Sequence, residues 1–297
     1  MKREGIMKLL IVSADPRLTL GYSKVIQQIA NYLATKELEI VMYTLNFREN
    51  SVLPSTYIDP RIKLLPVSDP QSYGFDNFRS VVDKECPDYV FIYGPTNIIY
   101  NYISLLDKSI KVCVYLDICQ KWSELHTLQK LKNRVTHWFT FLKCWSDHLV
   151  NDLKIDSKRV SIVEHGVNFN EFEPVDTKQA KDAMGFGKFL VLNMNRNSIR
   201  KNWAVTISGF VEFISRHEYN PDIQLYISCG ADKKRCDNHC DIEAHVYTEF
   251  FKRGLEYMNY TKNFIINDHP LRLTREKLNL LYSASDVGIN TCYSEGF

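Results

Sequence analysis

Short unbroken apolar runs, each followed by a stretch with helical spacing, recur along this chain and constrain its fold more than any other feature. Residues 8–14, KLLIVSA, form a run of strand length; in GYSKVIQQIANYLA after it, Val25, Ile26, Ile29, Tyr32 and Leu33 fall on one side of a helix. A continuous apolar run suits a strand covered on both faces, the usual condition of parallel strands in α/β proteins. Between the two lies DPRLTLGY, a loop. Further strands are expected over residues 39–45, 62–67, 89–93, 111–116, 136–142 and 160–163, with helical patterns over 77–84, 123–131 and 143–153. Such alternation predicts a doubly wound parallel sheet.

Near Gly166 the series stops. VNFNEFEPVDTKQAKDAMGFGK brings in Asn, Pro, Gly and charge without a strand, and reads as a connection between domains. A second series then begins at Phe189, with strands over 189–194, 223–228, 264–267 and 287–290. Helices fit 203–216, 242–254 and 275–284, the last capped by Thr274. The expectation is an α/β chain with two Rossmann-like parallel-sheet domains, 1–168 and 169–297, facing across a cleft. With 297 residues and 45% hydrophobic content, the chain can fill two cores.

Charge narrows the partners. The 37 basic and 35 acidic residues leave a net charge of +2, so nucleic acid and anionic membrane exert no general attraction, and any anion site has to be local. The opening MKREGIMKLLIVSA lacks a secretory core and cleavage site, and no segment approaches the roughly 18 apolar residues of a membrane span. A cytoplasmic protein without an integral membrane segment is expected. The eight cysteines are scattered, several inside apolar runs, as reduced thiols would be. Cys236, His239 and Cys240 lie close together but lack a fourth ligand, so a polar loop is expected there and no metal.

The chemistry concentrates at FLVLNMNRNSIRKNW, residues 189–203. A buried strand leads into a polar loop carrying Arg196, Arg200 and Lys201, and a helix is entered at Asn202. Loops at the carboxyl ends of strands face the ligand crevice of an open α/β sheet, and a helix start offers unpaired N–H groups. Arg196 and Lys201, five apart, suit a diphosphate; a solvated basic loop would look the same from this stretch alone. No dinucleotide fingerprint follows any strand: the one G-x-G, at Gly185 and Gly187, precedes a strand. There is no P-loop and no D-x-D pair to hold a divalent cation on a nucleotide, which counts against hydride transfer, nucleotide hydrolysis and metal-bridged sugar transfer.

Four segments, in order, carry a resemblance. LTLGYSKVIQQIANYLA resembles the glycine loop and first helix of GT-B glycosyltransferases of family 4. VSIVEHGVNFNEFEP resembles the segment closing their first domain, NRNSIRK their diphosphate-gripping loop, and LYSASDVGINTCYSEGF the approach to their E-x7-E motif. More loosely, the chain resembles glycosyltransferases of large algal DNA viruses.

The resemblance implies that Arg196 and Lys201 neutralise the diphosphate of a nucleotide sugar, with no metal and no resident cofactor. It implies that Glu295 binds donor-sugar hydroxyls and that Gly21 lets the backbone approach the donor. Two departures stand out. Where many relatives have a His at a strand end, this chain has Asp117, which could orient an acceptor hydroxyl, take its proton, or serve as a loop acceptor. The chain also stops at Phe297 inside the last motif, so a fragment with a four-stranded second sheet is expected.

The implied activity is a retaining transfer of a hexose from a nucleotide diphosphate sugar, GDP-mannose being the form favoured, to a glycan or other hydroxyl acceptor. An epimerase of the same fold and an inactive nucleotide- or glycan-binding protein are the alternatives.

Overall fold

The computed structural model describes residues 5–18, 20–46, 57–67, 69, 73–118, 121–229, 240–267 and 273–295. Its contacts divide the chain into two compact units, Met1–His165 with Glu295–Phe297, and Gly166–Ser294. The first unit runs β1 (Met7–Ala14), α1 (Gly21–Ala34), β2 (Leu38–Leu45), β3 (Lys63–Pro66), α2 (Phe75–Glu85) and β4 (Tyr89–Gly94). It continues through α3 (Thr96–Ser104), β5 (Lys111–Leu116), α4 (Lys121–Leu131), β6 (His137–Thr140), α5 (Lys143–Asp147) and β7 (Val160–Ile162).

The seven strands among the described residues pair in parallel in the order β3-β2-β1-β4-β5-β6-β7. The order reverses between β1 and β4, the switch point of a doubly wound sheet. Alternate residues of a strand face opposite sides. Leu10, Val12, Val41 and Tyr43 therefore pack under Phe78, Ile99, Tyr102 and Leu128 of α2, α3 and α4. Ile11, Ile40 and Met42 meet Ile26, Ala30 and Ala34 of α1 on the other face. Both faces being covered explains why the strands read as unbroken apolar runs.

In the second unit, α6 (Thr177–Met184), β8 (Phe189–Met194), α7 (Trp203–Ser215), β9 (Ile223–Ser228), α8 (Ile242–Phe251), β10 (Phe264–Asn267), α9 (Arg275–Ala284) and β11 (Val287–Gly288) follow in turn. The described strands form a parallel sheet in the order β10-β9-β8-β11, as the expected four-stranded sheet requires. Trp203, Ile207, Val211, Val246 and Phe250 of α7 and α8 cover one face. Ala180, Leu281 and Ala284 of α6 and α9 cover the other against Leu190 and Leu192.

The local expectations need correction at several places. The stretch taken as bare connection contains α6, which belongs to the second unit's core through Ala180. Its ends are marked: the Asp176 side chain accepts from the Gln179 N–H at 2.9 Å, and Gly185 closes the helix at φ +71°. Lys181 then bonds the Asp286 carboxylate at 2.6 Å, fastening the helix to the start of β11. Helix α3, unassigned from the sequence, buries Ile98, Ile99, Tyr102 and Ile103. Residues 143–153 are not one α-helix, because α5 passes into a π-helical turn over His148–Asp152. Tyr32, expected on the buried side of α1, is 63% exposed, with the Lys36 ammonium 4.6 Å from its ring centre.

Gly187, the second glycine of the G-x-G pair, is required by close approach. A Cβ there would lie 2.5 Å from the Asp222 carbonyl oxygen, a backbone atom that cannot swing aside. Gly187→Ala should therefore cost about 1–3 kcal/mol in chemical denaturation. An unchanged midpoint would mean that the backbone of Asp222 yields freely.

Candidate functional site

In the second sheet the strand order reverses between β8 and β11, so the loops leaving these two strands flank its switch point. Beyond β8, Asn195 donates its backbone N–H to Ser228 O at 3.1 Å, holding the loop to the end of β9. Arg196 is exposed, and its side chain makes no ion pair or hydrogen bond among the described residues. Asn197 is buried instead. Its side-chain amide exchanges two bonds with the Cys240 backbone, at 3.0 and 2.9 Å. Cys240 is thus a backbone anchor for the loop, while Cys236 and His239 lie outside the described residues.

Residues Ile199–Lys201 then tighten into a 3₁₀ turn, and Asn202 takes a left-handed conformation at φ +52°, which Asn tolerates better than most residues. The helix α7 begins at Trp203 as expected, entered through Asn202, and no side chain among the described residues caps its first turn. Lys201 is only 8% exposed, so the two cations differ: one is held in the fold, the other extends into solvent. A basic loop beside an uncapped helix start is an environment suited to anions.

The loop beyond β11 runs alongside. Ile289 donates to Leu192 O at 2.9 Å, Tyr293 to Arg200 O at 3.0 Å, and the Arg200 guanidinium to Ser294 O. Thr291 places its hydroxyl 3.1 Å from the carbonyls of both Lys201 and Asn202. The segment leading to Glu295 is therefore tied to the loop that carries Arg196 and Lys201. Glu295 itself is partly exposed. Arg200, given no role from the sequence, holds the two segments together.

In the first unit, Gly21 opens α1 and a Cβ there would meet no atom of the described residues within 4 Å. Crowding by the described residues does not demand this glycine. Asp117 follows β5 directly and accepts a hydrogen bond from the hydroxyl of Tyr22, the neighbour of Gly21. Sequence reading missed Tyr22. The ring of Tyr22 lies 5.1 Å from that of Tyr93 at the end of β4, and Tyr93 stacks at 4.9 Å on Tyr115 of β5. Burial, then the nearby Asp117 charge, holds the hydroxyls of Tyr93 and Tyr115 far above their usual range. His165 stacks on Phe141 at 4.7 Å, and burial pushes its imidazole below the usual value against the pull of Asp117. Asp117 thus sits among neutral aromatic groups. The available signal was aromatic residues at the carboxyl ends of adjacent strands.

No protein-family model matches this sequence, and no curated protein sequence does. Solved structures do resemble the chain. Sucrose-phosphate synthase from Thermosynechococcus elongatus matches 98% of this chain and 77% of its own, at 13% identity and a TM-score of 0.69. An α,α-trehalose-phosphate synthase (UDP-forming) from Burkholderia vietnamiensis matches 99% and 80%, at 12% identity and 0.65. UDP-GlcNAc 2-epimerase from Neisseria meningitidis, bound to UDP-GlcNAc, matches 95% and 77%, at 14% identity and 0.60. At such identities the likeness establishes the fold, the two Rossmann-like units of the GT-B class. Among the described residues, no helix is long and apolar enough to cross a membrane.

Proposed function

We propose that this protein is a glycosyltransferase that moves a hexose from a nucleotide diphosphate sugar to a hydroxyl acceptor, with 1–168 as its acceptor-side domain and 169–297 as its donor-side domain. One observation carries the reading: Lys201, held within the fold, and Arg196, extended from it, share the loop at the second sheet's switch point. Two cations there can neutralise the charge that builds on a departing diphosphate, so the reading needs neither a metal nor a resident cofactor. Glu295 binds sugar hydroxyls in this scheme, and Gly21 offers its backbone to the donor. Asp117, oriented by Tyr22, receives the acceptor hydroxyl. Transfer proceeds with retention, a donor phosphate oxygen helping to take the acceptor proton, and the acceptor is a glycan or another hydroxyl compound.

Incubating the protein with UDP-, GDP- and ADP-sugars and a panel of glycan acceptors, with and without EDTA, tests this directly. GDP-mannose is the donor favoured by the sequence resemblance; UDP-sugars stand beside it because neighbouring structures are named for UDP. Glycoside formation should persist in EDTA. Activity lost to chelator and restored by manganese would overturn the role given to the two cations. The likeness to UDP-GlcNAc 2-epimerases supports a second reading, epimerisation of the nucleotide sugar. Conversion of UDP-GlcNAc without any acceptor would establish that reading instead.

A further inference from the structure

We infer that Thr291 is a positioning residue that makes the diphosphate grip and the sugar grip one assembly, an inference that rests on the donor-site reading above. Asn193 lies in the apolar strand β8 and is fully buried, so its amide has to be paired. It accepts from the Asn195 amide at 2.7 Å and donates to the Thr206 hydroxyl of α7 at 2.9 Å. The Thr206 and Thr291 hydroxyls are 2.7 Å apart, and Thr291 reaches the Lys201 and Asn202 carbonyls, each at 3.1 Å.

The proton order follows from chemistry. Carbonyls only accept, so the single Thr291 proton is shared between the two of them. Thr206 must then donate to Thr291, having accepted from Asn193. Donors thus run in one direction from Asn195 through Asn193, Thr206 and Thr291 to the backbone just before α7. Hydrogen bonds aligned in this way polarise one another. With Tyr293 N–H on Arg200 O and the Arg200 guanidinium on Ser294 O, residues 291–294 are joined to residues 200–202 at three points. Thr291 is the link that also reaches the sheet. Without its hydroxyl, the segment leading to Glu295 keeps its links to Arg200 but loses its hold on the Lys201 and Asn202 carbonyls, and with it the tie that runs through Thr206 to the sheet.

Thr291→Val keeps the shape and removes the hydroxyl; Thr291→Ser keeps the hydroxyl. Calorimetric titration with UDP and GDP should show affinity falling about tenfold in Thr291→Val, the loss of one or two hydrogen bonds, and staying near wild type in Thr291→Ser. With nucleotide sugar as ligand, Lys201→Ala and Glu295→Gln should be non-additive by at least about threefold in wild type and additive in the Thr291→Val background. A purely structural threonine would leave that coupling unchanged. Should Thr291→Val fail to fold, Thr291→Ala removes the same hydroxyl without the valine's second methyl and should likewise abolish the coupling. Equal losses in Thr291→Val and Thr291→Ser, or coupling that persists in the variant lacking the hydroxyl, would overturn the inference alone. Wild-type protein that binds neither diphosphate would overturn the donor-site reading, and this inference with it.

Discussion

Lys201→Ala is expected to weaken binding of the free nucleoside diphosphate by about tenfold to a hundredfold, the cost of one charge-assisted hydrogen-bonding partner. Arg196→Ala should fall toward the lower end of that range. Both side chains offer charge to the same group, but the exposed Arg196 loses side-chain freedom on binding that the buried Lys201 has already lost on folding. Glu295→Gln keeps the shape of a residue proposed to touch only the sugar; diphosphate affinity should hold while turnover drops. Isothermal titration of the three variants separates the roles. Equal losses in all three would merge them, and no loss in the two cation variants would leave the loop an ordinary solvated surface.

Trp203→Ala should destabilise the second unit by about 3–5 kcal/mol, the largest stability change expected from a single substitution at this site. The indole is 1% exposed and packs with Ile207, Val211, Leu225 and Phe250, so truncation leaves a cavity among residues from two helices and the sheet. Trp203 also starts α7 directly after the left-handed Asn202, so the truncation falls at the residue where the basic loop enters the helix. Trp203→Phe should cost less than half as much. It keeps an aromatic ring and discards a buried indole N–H that has no hydrogen-bond partner among the described residues. Equilibrium denaturation followed by circular dichroism measures both. Equal losses would show that the lost volume of the indole, not the remaining ring, dominates.

Strand positions were legible because their signal is local. The unbroken runs at 8–14 and 189–194 correspond to β1 (Met7–Ala14) and β8 (Phe189–Met194), strands buried on both faces, and the Thr274 cap on α9 is present at 3.3 Å. Helix α6 was equally marked, by Asp176 and Gly185, yet the Pro and Gly around it read as linker. Tyr32 shows the opposite failure. Helical spacing assigned it to the apolar side, but the face on the sheet is centred on Ile26, Ala30 and Ala34, with Val25, Ile29 and Leu33 at its margins and Tyr32 beyond them.

From the sequence by itself came two α/β units, the four-stranded second sheet, and the residue types of a basic loop beyond β8. Periodicity and turn chemistry act over a few residues, and so survive in the linear text. Only the tertiary structure decided that Lys201 is buried while Arg196 is exposed, that Tyr22 bonds Asp117 from 95 residues away, and that Thr206 meets Thr291 across 85. These pairings depend on strand order. Placing β1 beside β4 and β8 beside β11 brings distant loops to one sheet end, where buried polar groups had to find partners that no local pattern could name.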